Sequence, residues 1–267
     1  MTRRDDYYNR AKQEGYRARS AYKLKQLDET AGLFGQGRTV VDLGAAPGGW
    51  LQVAAERVGP DGVVIGVDRQ RIEELEDPDS TVAFVRGDIT EENTHDEIRD
   101  TVAEVTGRDE QRPVDVVLSD MAPNMSGEYE LDHARSVHLA RQAFAVAEEL
   151  LDTGGDFAVK VFDGRDLADL EADIAEEFEY VRQVRPDASR DSSSELYLVA
   201  KNRLTAPVRE GDEREVEIVD VGAEGDGIAK VEGFTLFVPG TEQGETVQVE
   251  VTDVKPNYGF ATRLDAA

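Results

Sequence analysis

The sequence VVDLGAAPGGW at residues 40–50 decides the fold, because it leads a short apolar strand into a glycine-rich turn that opens a helix. Gly44, Gly48 and Gly49 let the backbone take up dihedral angles closed to other residues and let a ligand approach the chain. The helix that follows presents free N–H groups at its first turn. The stretch therefore predicts a nucleotide-cofactor loop, with an ordinary strand-turn-helix corner as the alternative.

The acid at the end of this strand indicates which cofactor the loop would hold. A dinucleotide loop has the pattern G-x-G-x-x-G, which binds a pyrophosphate, and this loop does not have it. Asp42 lies beside the glycines instead, where a carboxylate suits a cationic ligand. The sulfonium and amino groups of S-adenosylmethionine are such cations, so we expect Asp42 and Gly44 to bind that cofactor.

Two further predicted strands also end in acids. Residues 63–68 form an apolar strand ending in Asp68, whose carboxylate can accept hydrogen bonds from ribose hydroxyls. Residues 81–85 form the next strand, and Asp88 follows it, suitably placed to contact an adenine amino group. Together these acids predict a site for the adenosine part of the cofactor.

Three more strands are predicted farther along the chain, at residues 114–118, 156–159 and 194–200. They bring Asp120, Lys160 and Glu195 to strand ends. In open α/β sheets ligands bind at the carboxyl ends of the strands, so these side chains should converge on one crevice.

Helices are predicted between the strands, because residues 96–105 and 131–151 carry apolar side chains at helical spacing. The alternation of strands and helices predicts a doubly wound α/β domain.

The chain resembles a known family, the RrmJ/FtsJ (RlmE) ribosomal RNA 2′-O-methyltransferases, over about residues 16–201. Four motifs carry the resemblance: DLGAAPGGW at 42–50, SDMAPNMSG at 119–127, VKVF at 159–162 and SELYLV at 194–199. It implies a Rossmann-like methyltransferase fold with a seven-stranded sheet whose last strand is antiparallel. It also implies S-adenosylmethionine-dependent methylation of a ribose, in a uridine of large-subunit ribosomal RNA.

The resemblance also implies roles for individual residues. The family's catalytic tetrad falls on Lys23, Asp120, Lys160 and Glu195. Its cofactor contacts fall on Gly48, Trp50, Asp68, Asp88 and Asp120.

The chemistry of such a reaction needs a base, because a ribose 2′-hydroxyl is a weak nucleophile. Lys160 is the candidate, since a lysine in an apolar strand must reach a crevice or pair with an acid; a strand-end salt bridge is the alternative. A lysine that serves as a base at neutral pH needs a pKa well below the ordinary ~10.4. A neighbouring cation moves a lysine that way, and Lys23 is the candidate cation. Asp120 and Glu195 are expected to orient Lys160 and the hydroxyl.

The composition limits the class of protein. The 267 residues are enough for one α/β domain and a small second one. The absence of cysteine excludes disulfides, zinc thiolate sites and thiol catalysis. Three scattered histidines give no convincing metal site. The N-terminus is polar, and no apolar run approaches the ~18–20 residues that span a bilayer, so we expect a cytoplasmic protein without membrane contact.

The net charge of −27, from 30 basic and 57 acidic residues, is unusual for a protein that binds nucleic acid. The acids are spread through every segment, a pattern typical of proteins from salt-loving archaea. In such cells the Debye length falls to ~3 Å at 1 M salt, so an acidic surface repels RNA less than its formal charge implies.

The first 25 residues are an exception, with eight bases against three acids. The bases are Arg3, Arg4, Arg10, Lys12, Arg17, Arg19, Lys23 and Lys25. Tyr7, Tyr8, Tyr16 and Tyr22 lie among them and could stack on unpaired bases. This segment is the predicted RNA-facing arm, with Arg182, Arg185 and Arg190 on the same rim, and a solvated helical arm is the alternative.

A second domain is predicted after a short linker, which divides the chain into residues 1–203 and 204–267. Repeated β signals predict about five strands that close into a small OB-like barrel. The sequences GDGIA at 225–229 and LFVPG at 236–240 resemble the TRAM domain, which implies RNA binding. The candidate contacts are four aromatic residues, at least half of which we expect in the core: Phe234, Phe237, Tyr258 and Phe260.

The sequence thus predicts an S-adenosylmethionine-dependent RNA ribose 2′-O-methyltransferase that binds large-subunit ribosomal RNA or the large subunit and has no obligate protein partner. Two alternatives stay open. Relatives of the same family act on the tRNA anticodon loop, so tRNA is a second candidate substrate. A non-catalytic RNA-binding factor in ribosome assembly could also keep the cofactor fold, although the intact tetrad argues against it.

Overall fold

The computed structural model describes residues 3–107, 112–190 and 193–264, with side chains from residue 6 onward. A seven-stranded sheet with helices on both faces is followed by a closed barrel of five strands. The predicted fold class is confirmed, including the antiparallel last strand of the sheet.

The helices and strands of the sheet region, in chain order, are α1 (Arg3–Glu14), α2 (Ala21–Ala31), β1 (Thr39–Leu43), α3 (Gly49–Val58), β2 (Val63–Asp68), β3 (Thr81–Arg86), α4 (Glu92–Thr106), β4 (Val114–Ser119), α5 (Tyr129–Leu150), β5 (Leu151–Phe162), α6 (Leu167–Ala175), β6 (Phe178–Val184) and β7 (Glu195–Arg203).

The strand order β3-β2-β1-β4-β5-β7-β6 positions the site. Strands β1 to β5 run parallel, and β7 pairs antiparallel with both β5 and β6. The order of the chain reverses between β1 and β4, and ligands bind at such a switch point. The carboxyl ends of β1 to β5 therefore meet the beginning of β7 at one edge of the sheet.

Both faces of the sheet are covered, which explains why its central strands are almost continuously apolar. Side chains of α4, α5 and α6 pack with one face in a single apolar cluster. Side chains of α2 and α3 pack with the other face. All five residues of β1 are buried, so the strand that leads into the glycine loop lies at the centre of the domain.

Two elements were not predicted from the sequence. Helix α6 is a short helix of nine residues, and β6 has the sequence FEYVRQV with no regular alternation of buried and exposed residues. The strand β6 lies at the sheet edge, where one side of the strand has no neighbour and polar residues are tolerated. Strand β5 also begins at Leu151, before the predicted start at residue 156.

The barrel consists of β8 (Glu213–Val221), β9 (Gly227–Val231), β10 (Phe234–Val238), β11 (Thr246–Val254) and β12 (Tyr258–Arg263). They close in the order β10-β12-β11-β8-β9. Alternate residues of each strand fill a small aliphatic core, whose members include Val216, Ile218, Leu236, Val238 and Val249.

The expectation that at least half of the four barrel aromatics lie in the core is wrong. Only Phe234 packs against the core. Phe237, Tyr258 and Phe260 belong to the other parity of their strands and contact one another instead. The barrel core is too tightly packed to hold these rings as well. Even a Cβ at Gly259 would lie 3.0 Å from Leu236 Cδ2.

The barrel contacts the sheet at the edge opposite the carboxyl ends of the parallel strands. Lys255 Nζ lies 2.9 Å from Glu179 Oε1 at the beginning of β6. The hydroxyls of Thr153 and Thr205 are 2.6 Å apart near the beginning of β5. Within the described residues, no helix combines the length and apolar character needed to cross a membrane.

Candidate active site

The four residues of the predicted tetrad meet as two ion pairs. Lys160 Nζ donates to Asp120 Oδ1 at 2.9 Å and also to the Asp120 carbonyl oxygen. Lys23 Nζ lies 2.6 Å from Glu195 Oε1. Lys160 and Lys23 are only 8% and 9% exposed. Each buried ammonium group is thus balanced by a carboxylate, as burial of a charge requires.

The strand register explains why these side chains meet. In the antiparallel pair of β5 and β7, Lys160 lies opposite Tyr197 and Phe162 lies opposite Glu195. Residues opposite one another, and residues two apart on one strand, point to the same face of a sheet. Lys160, Tyr197 and Glu195 therefore share one face. Helix α2 packs on that face and supplies Lys23.

Tyr197 is a site residue to which the sequence analysis gave no role. Its hydroxyl donates to Asp120 Oδ1 at 2.6 Å, so this oxygen accepts from both Tyr197 and Lys160. Burial, followed by the charges of Asp120 and Glu195, raises the pKa of Tyr197 well above its usual value. The phenol is consequently a permanent donor. Its position two residues after Glu195 was the signal in the sequence, because it places both on one face.

A cleft of about 770 Å³ opens beside the tetrad at the carboxyl ends of the strands. Its lining includes four residues that were predicted to bind the cofactor, Gly44, Asp68, Asp88 and Asp120. The volume lies within the range of pockets that bind small molecules and cofactors.

Two of these carboxylates are held by backbone amides. Asp68 Oδ2 accepts from Ala46 N at 3.0 Å, and its Oδ1 accepts from Gln70 N at 2.7 Å. Asp88 Oδ1 accepts from the amide and the hydroxyl of Thr90. These bonds from Thr90, the backbone one first, lower the pKa of Asp88. A fixed anionic carboxylate can still accept hydrogen bonds from a ligand at its remaining lone pairs.

Asp42 lies behind the cleft and not in its lining. It is 1% exposed, and its Oδ2 has no hydrogen-bond partner. Burial, and then the charges of Asp120 and Asp68, raise the pKa of Asp42 well above its usual value. Asp120 and Asp68 are the two acids at this end of the cleft that line it, and the predicted contact of Asp42 with the cofactor stays a prediction.

The glycine loop is packed against neighbouring segments on both sides. Gly44 has φ +76°, and a Cβ there would lie 2.3 Å from Met121 Cγ. Gly48 has φ +107°, and a Cβ there would lie 2.8 Å from Arg17 Nη1. Gly44 lines the cleft together with Met121, whereas Gly48 faces Arg17. The cofactor contact of Gly48 stays a prediction.

Trp50 is a buried part of the scaffold. Its Nε1 donates to the Ser20 carbonyl oxygen at 2.9 Å, and its ring lies 5.8 Å from that of Tyr197. The indole does not line the large cleft. Trp50 thus joins the first turn of α3 to Tyr197, and its predicted contact with the cofactor stays a prediction.

A second pocket, of about 340 Å³, opens on the other side of the tetrad. Its lining residues are Arg19, Ser20, Lys23, Ala122, Met125, Lys160, Phe162, Arg190, Ser193 and Glu195. Ala122 also lines the larger cleft. Two pockets therefore adjoin at Ala122, with Asp120 in one and its partner Lys160 in the other.

The histidines take part in the scaffold. His133 accepts a hydrogen bond at Nε2 from Asp166 N, so its Nδ1 is the atom that donates to the Phe162 carbonyl oxygen. His95 lies between Glu149 and the Ile89 carbonyl oxygen. Among the described residues, no group of three or more His, Asp or Glu side chains is arranged to hold a metal ion.

Most tyrosine side chains of the N-terminal arm pack against one another, whereas the sequence predicted that they face RNA. Tyr22 contacts the rings of Tyr7 and Tyr16 at 5.5 and 5.9 Å, and only Tyr8 among the four tyrosines is largely exposed. Three of the predicted stacking residues therefore pack on one another. Burial, followed by the nearby carboxylate of Glu14, raises the pKa of Tyr22 to about 12.

The predicted basic rim is also partly engaged in the fold. Arg182 donates to the Thr30 carbonyl oxygen, and Arg185 pairs with Asp163 at 2.7 Å. Arg190 lines the smaller pocket. The side chains of Arg3 and Arg4 lie outside the described part of the structure.

Comparison with known proteins gives concordant results. Residues 16–203 match the model of the FtsJ-like methyltransferase family, and residues 207–264 match that of the TRAM domain. The chain is 72% identical to Ribosomal RNA large subunit methyltransferase E of Haloarcula marismortui, over 99% of this chain and 100% of the relative. The protein of the same description from Haloquadratum walsbyi is 65% identical, with the same coverage.

A solved structure shows the same fold in the sheet region. It belongs to a protein of Plasmodium falciparum assigned as a ribosomal RNA methyltransferase, and it is 28% identical to this chain. It covers 70% of this chain and 98% of its own length, with a TM-score of 0.60.

Proposed function

The chain belongs to the FtsJ-like methyltransferase family, and from that premise we propose that it methylates the 2′-hydroxyl of a ribose, in a uridine of large-subunit ribosomal RNA, with S-adenosylmethionine as the methyl donor. The observation that carries this proposal is the junction of two pockets at Ala122. One pocket has the size and the carboxylates for a cofactor, and the other holds the two lysines.

The residues of the larger cleft fit S-adenosylmethionine. Asp68 and Asp88 are suited to the ribose hydroxyls and the adenine amino group, because both are fixed acceptors. Asp120 lines the end of the cleft nearest the tetrad, where a carboxylate complements a sulfonium. When bound, the cofactor supplies an activated methyl group.

Lys160 is positioned to handle the proton of the ribose hydroxyl. It lines the smaller pocket, so a ribose that enters there meets Nζ directly. We assign Lys160 Nζ, as the neutral amine, as the atom that accepts this proton; the ammonium group that results is the form that pairs with Asp120. Asp120 Oδ1 and its carbonyl oxygen fix the position of the amine from the other side.

The remaining tetrad residues orient the ribose that accepts the methyl group, and Tyr197 supports the site. The pair of Lys23 and Glu195 borders the same pocket and offers both a donor and an acceptor to an incoming ribose. Tyr197 holds Asp120 in place through a hydrogen bond. Much of the rate enhancement would come from holding the hydroxyl in near-attack geometry, a large effect in well-oriented systems.

The nucleic-acid acceptor is supported by residues around the smaller pocket. Arg19 and Arg190 line it together with the two lysines, which makes it a basic opening on an acidic protein. Phosphate groups beside the target ribose would meet these side chains. A protein that acts on ribosomal RNA works where ribosomes are assembled, so the expected location is the cytoplasm.

The deciding experiment measures transfer of labelled methyl from S-adenosylmethionine to unmethylated large ribosomal subunits, with unmodified tRNA in parallel. The assay is run in concentrated potassium chloride, because salt screens the repulsion among the acids of a protein with a net charge of −27. We expect label in the ribosomal RNA, at a ribose, and none in tRNA. Label in tRNA alone would favour the tRNA-modifying alternative.

Two variants test the catalytic assignment. Lys160→Ala should abolish transfer and retain affinity for S-adenosylmethionine, because Lys160 lines only the smaller pocket. Lys201→Ala is the matched control, since Lys201 is also a strand lysine paired with a buried acid, Asp156, but away from the site. Equal transfer by the Lys160 variant and the unaltered protein would rule the assignment out. No transfer by any form would favour the non-catalytic factor.

A further inference from the structure

The last residues of β5 have no neighbouring strand on one side. Strand β4 pairs with β5 only as far as Ser119, which lies opposite Val159, and Asp120 then leaves the strand. Strand β5 continues to Phe162. Its backbone groups on that side need other partners, because an unpaired N–H or C=O group is costly when it is buried.

Two side chains of α5 supply those partners. Phe162 N donates to Ser136 Oγ at 3.1 Å, and the Phe162 carbonyl oxygen accepts from His133 Nδ1 at 2.9 Å. Ser136 Oγ also donates to the His133 carbonyl oxygen at 2.7 Å, which fixes the hydroxyl. Both residues are buried. Helix α5 therefore takes the place of a neighbouring strand beside Phe162.

The imidazole of His133 also holds the turn that follows β5. Its Nε2 accepts from Asp166 N at 3.1 Å, so the two ring nitrogens bond to the chain before and after this turn. A Cβ at Gly164 would lie 2.5 Å from His133 Nδ1, because the ring packs directly against the backbone there. The path of the chain beyond β5 is thus set by one side chain of α5.

This end of β5 carries the lysine of the proposed reaction. Lys160 lies two residues before Phe162, and both line the smaller pocket. The partner of Lys160 is Asp120, which follows β4 and does not belong to β5. The distance of 2.9 Å from Lys160 Nζ to Asp120 Oδ1 therefore depends on how the ends of the two strands lie relative to each other.

We propose that His133 is a positioning residue for methyl transfer: its bond to the Phe162 carbonyl oxygen holds Lys160 beside Asp120 and beside the ribose that enters the smaller pocket. The proposal rests on the proposed function. His133 lines neither pocket, so it acts through Phe162 and Lys160 and not on the substrate or the cofactor. A displacement of about 1 Å in a reacting group can lower a rate by roughly a hundredfold.

The test compares substitutions of His133 in the full-length protein, assayed for methyl transfer to large ribosomal subunits in molar potassium chloride. His133→Ala should lower kcat by about tenfold or more and leave the Kd for S-adenosylmethionine unchanged. His133→Asn should restore most of kcat, because its amide nitrogen can take the place of Nδ1 and donate to Phe162. His133→Gln should not restore it, because its longer side chain reaches the place of Nε2 and the amide of Asp166 instead.

Two substitutions on the same helix are the controls. His138→Ala makes the same replacement at an exposed position of α5. Val146→Ala removes methyl groups from a fully buried position near the other end of α5, so it destabilises the fold away from the site. Both variants should keep the kcat of the unaltered protein, and melting curves give the loss of stability in each variant.

Acetylation by acetic anhydride reports the position of Lys160 without methyl transfer. Burial and the ion pair with Asp120 protect Lys160, so its acetylation, measured by mass spectrometry, should rise severalfold in His133→Ala. Lys201, which pairs with Asp156, is the internal reference and should be acetylated equally in both proteins.

Three kinetic results would overturn the proposal: an unchanged kcat in His133→Ala, an equal loss of kcat in Val146→Ala, or rescue by His133→Gln and not by His133→Asn. Equal acetylation of Lys160 in His133→Ala and in the unaltered protein would overturn it as well. If the unaltered protein transferred no methyl group to any RNA, the proposed function would fail. The acetylation alone would then decide whether His133 positions Lys160.

Discussion

At the scale of single residues, Asp120 is the centre of the site. Its Oδ1 accepts hydrogen bonds from Lys160 and Tyr197, and the residue lines the cleft from which the methyl group would come. One carboxylate is thus tied to both the proposed base and the cofactor cleft. The tyrosine is what holds it in this position.

Tyr197→Phe should lower kcat by about tenfold or more, because a hydrogen bond to a charged group contributes ~1.5–3 kcal/mol. KM for RNA should change little, since Tyr197 does not line either pocket. Steady-state kinetics with large-subunit RNA give both constants. Tyr180→Phe removes a hydroxyl from a tyrosine that is 45% exposed and serves as the control. A kcat equal to that of the unaltered protein would show that Asp120 keeps its position without the hydrogen bond from Tyr197.

Asp42 supports a prediction about pH. Its pKa is raised in the folded protein, mainly by burial. The stability that the carboxyl contributes is fully present below its unfolded pKa of ~3.9 and is lost as the pH rises toward the folded value, at ~1.4 kcal/mol per unit. Asp42→Asn has no proton to lose. Its melting temperature should therefore gain on that of the unaltered protein as the pH rises above about 4.

The control for that series is Asp79→Asn, the same change at an exposed position. It should follow the unaltered protein at every pH. A difference between Asp42→Asn and the unaltered protein that stays constant with pH would mean that Asp42 is ionised in the fold.

At the scale of elements, the loops around the cofactor cleft are joined by a residue of the N-terminal arm. Arg17 Nη1 donates to the carbonyl oxygens of Pro47 at 3.3 Å and Glu73 at 2.5 Å, and Nη2 donates to that of Glu74. The guanidinium thus links the glycine loop before α3 to the segment after β2. The sequence assigned Arg17 to RNA binding, but its donors are directed at the protein.

Arg17→Ala should raise the Kd for S-adenosylmethionine by about tenfold, because three backbone carbonyls lose a charged donor. Arg17→Lys should not restore affinity, since an ammonium cannot reproduce the planar fork. Equilibrium dialysis measures the cofactor, and a separate RNA-binding assay tests the earlier assignment. Arg10→Ala is the control, because Arg10 forms an exposed pair with Glu14. Weakened RNA binding with unchanged cofactor affinity would show that Arg17 binds RNA, as the sequence predicted, and does not support the cofactor cleft.

At the scale of the whole molecule, the net charge of −27 determines how the protein responds to salt. Self-repulsion among the acids destabilises the compact state when it is not screened. The melting temperature should rise by about 10 °C from dilute buffer to molar potassium chloride, and methyl transfer should rise with it. Thermal scans at several salt concentrations check this. The same melting temperature throughout would contradict an adaptation to salt.

The sequence by itself determined the glycine loop and most of the strands and helices, although not α6 and β6, because these depend on local periodicity and on a short motif with fixed chemistry. The tetrad was implied by the family resemblance, and its catalytic role stays a prediction. The sequence placed Lys160 in a strand and Glu195 at a strand start, as the structure has them. The division of the chain at residues 203 and 204 stays a prediction, although the last strand of the sheet ends at Arg203.

Only the tertiary structure decided which partner each side chain has. Lys160 could have paired with any acid at the crevice, and the register of β5 with β7 and the position of β4 select Asp120. The tyrosines of the arm could have faced RNA, but the packing of α1 on α2 turns three of them toward one another. In the barrel, successive residues of a strand face opposite sides, so a shift of one residue along the strand decides whether a ring lies in the core or on the surface. Such choices depend on contacts between segments far apart in the chain, which no local pattern records.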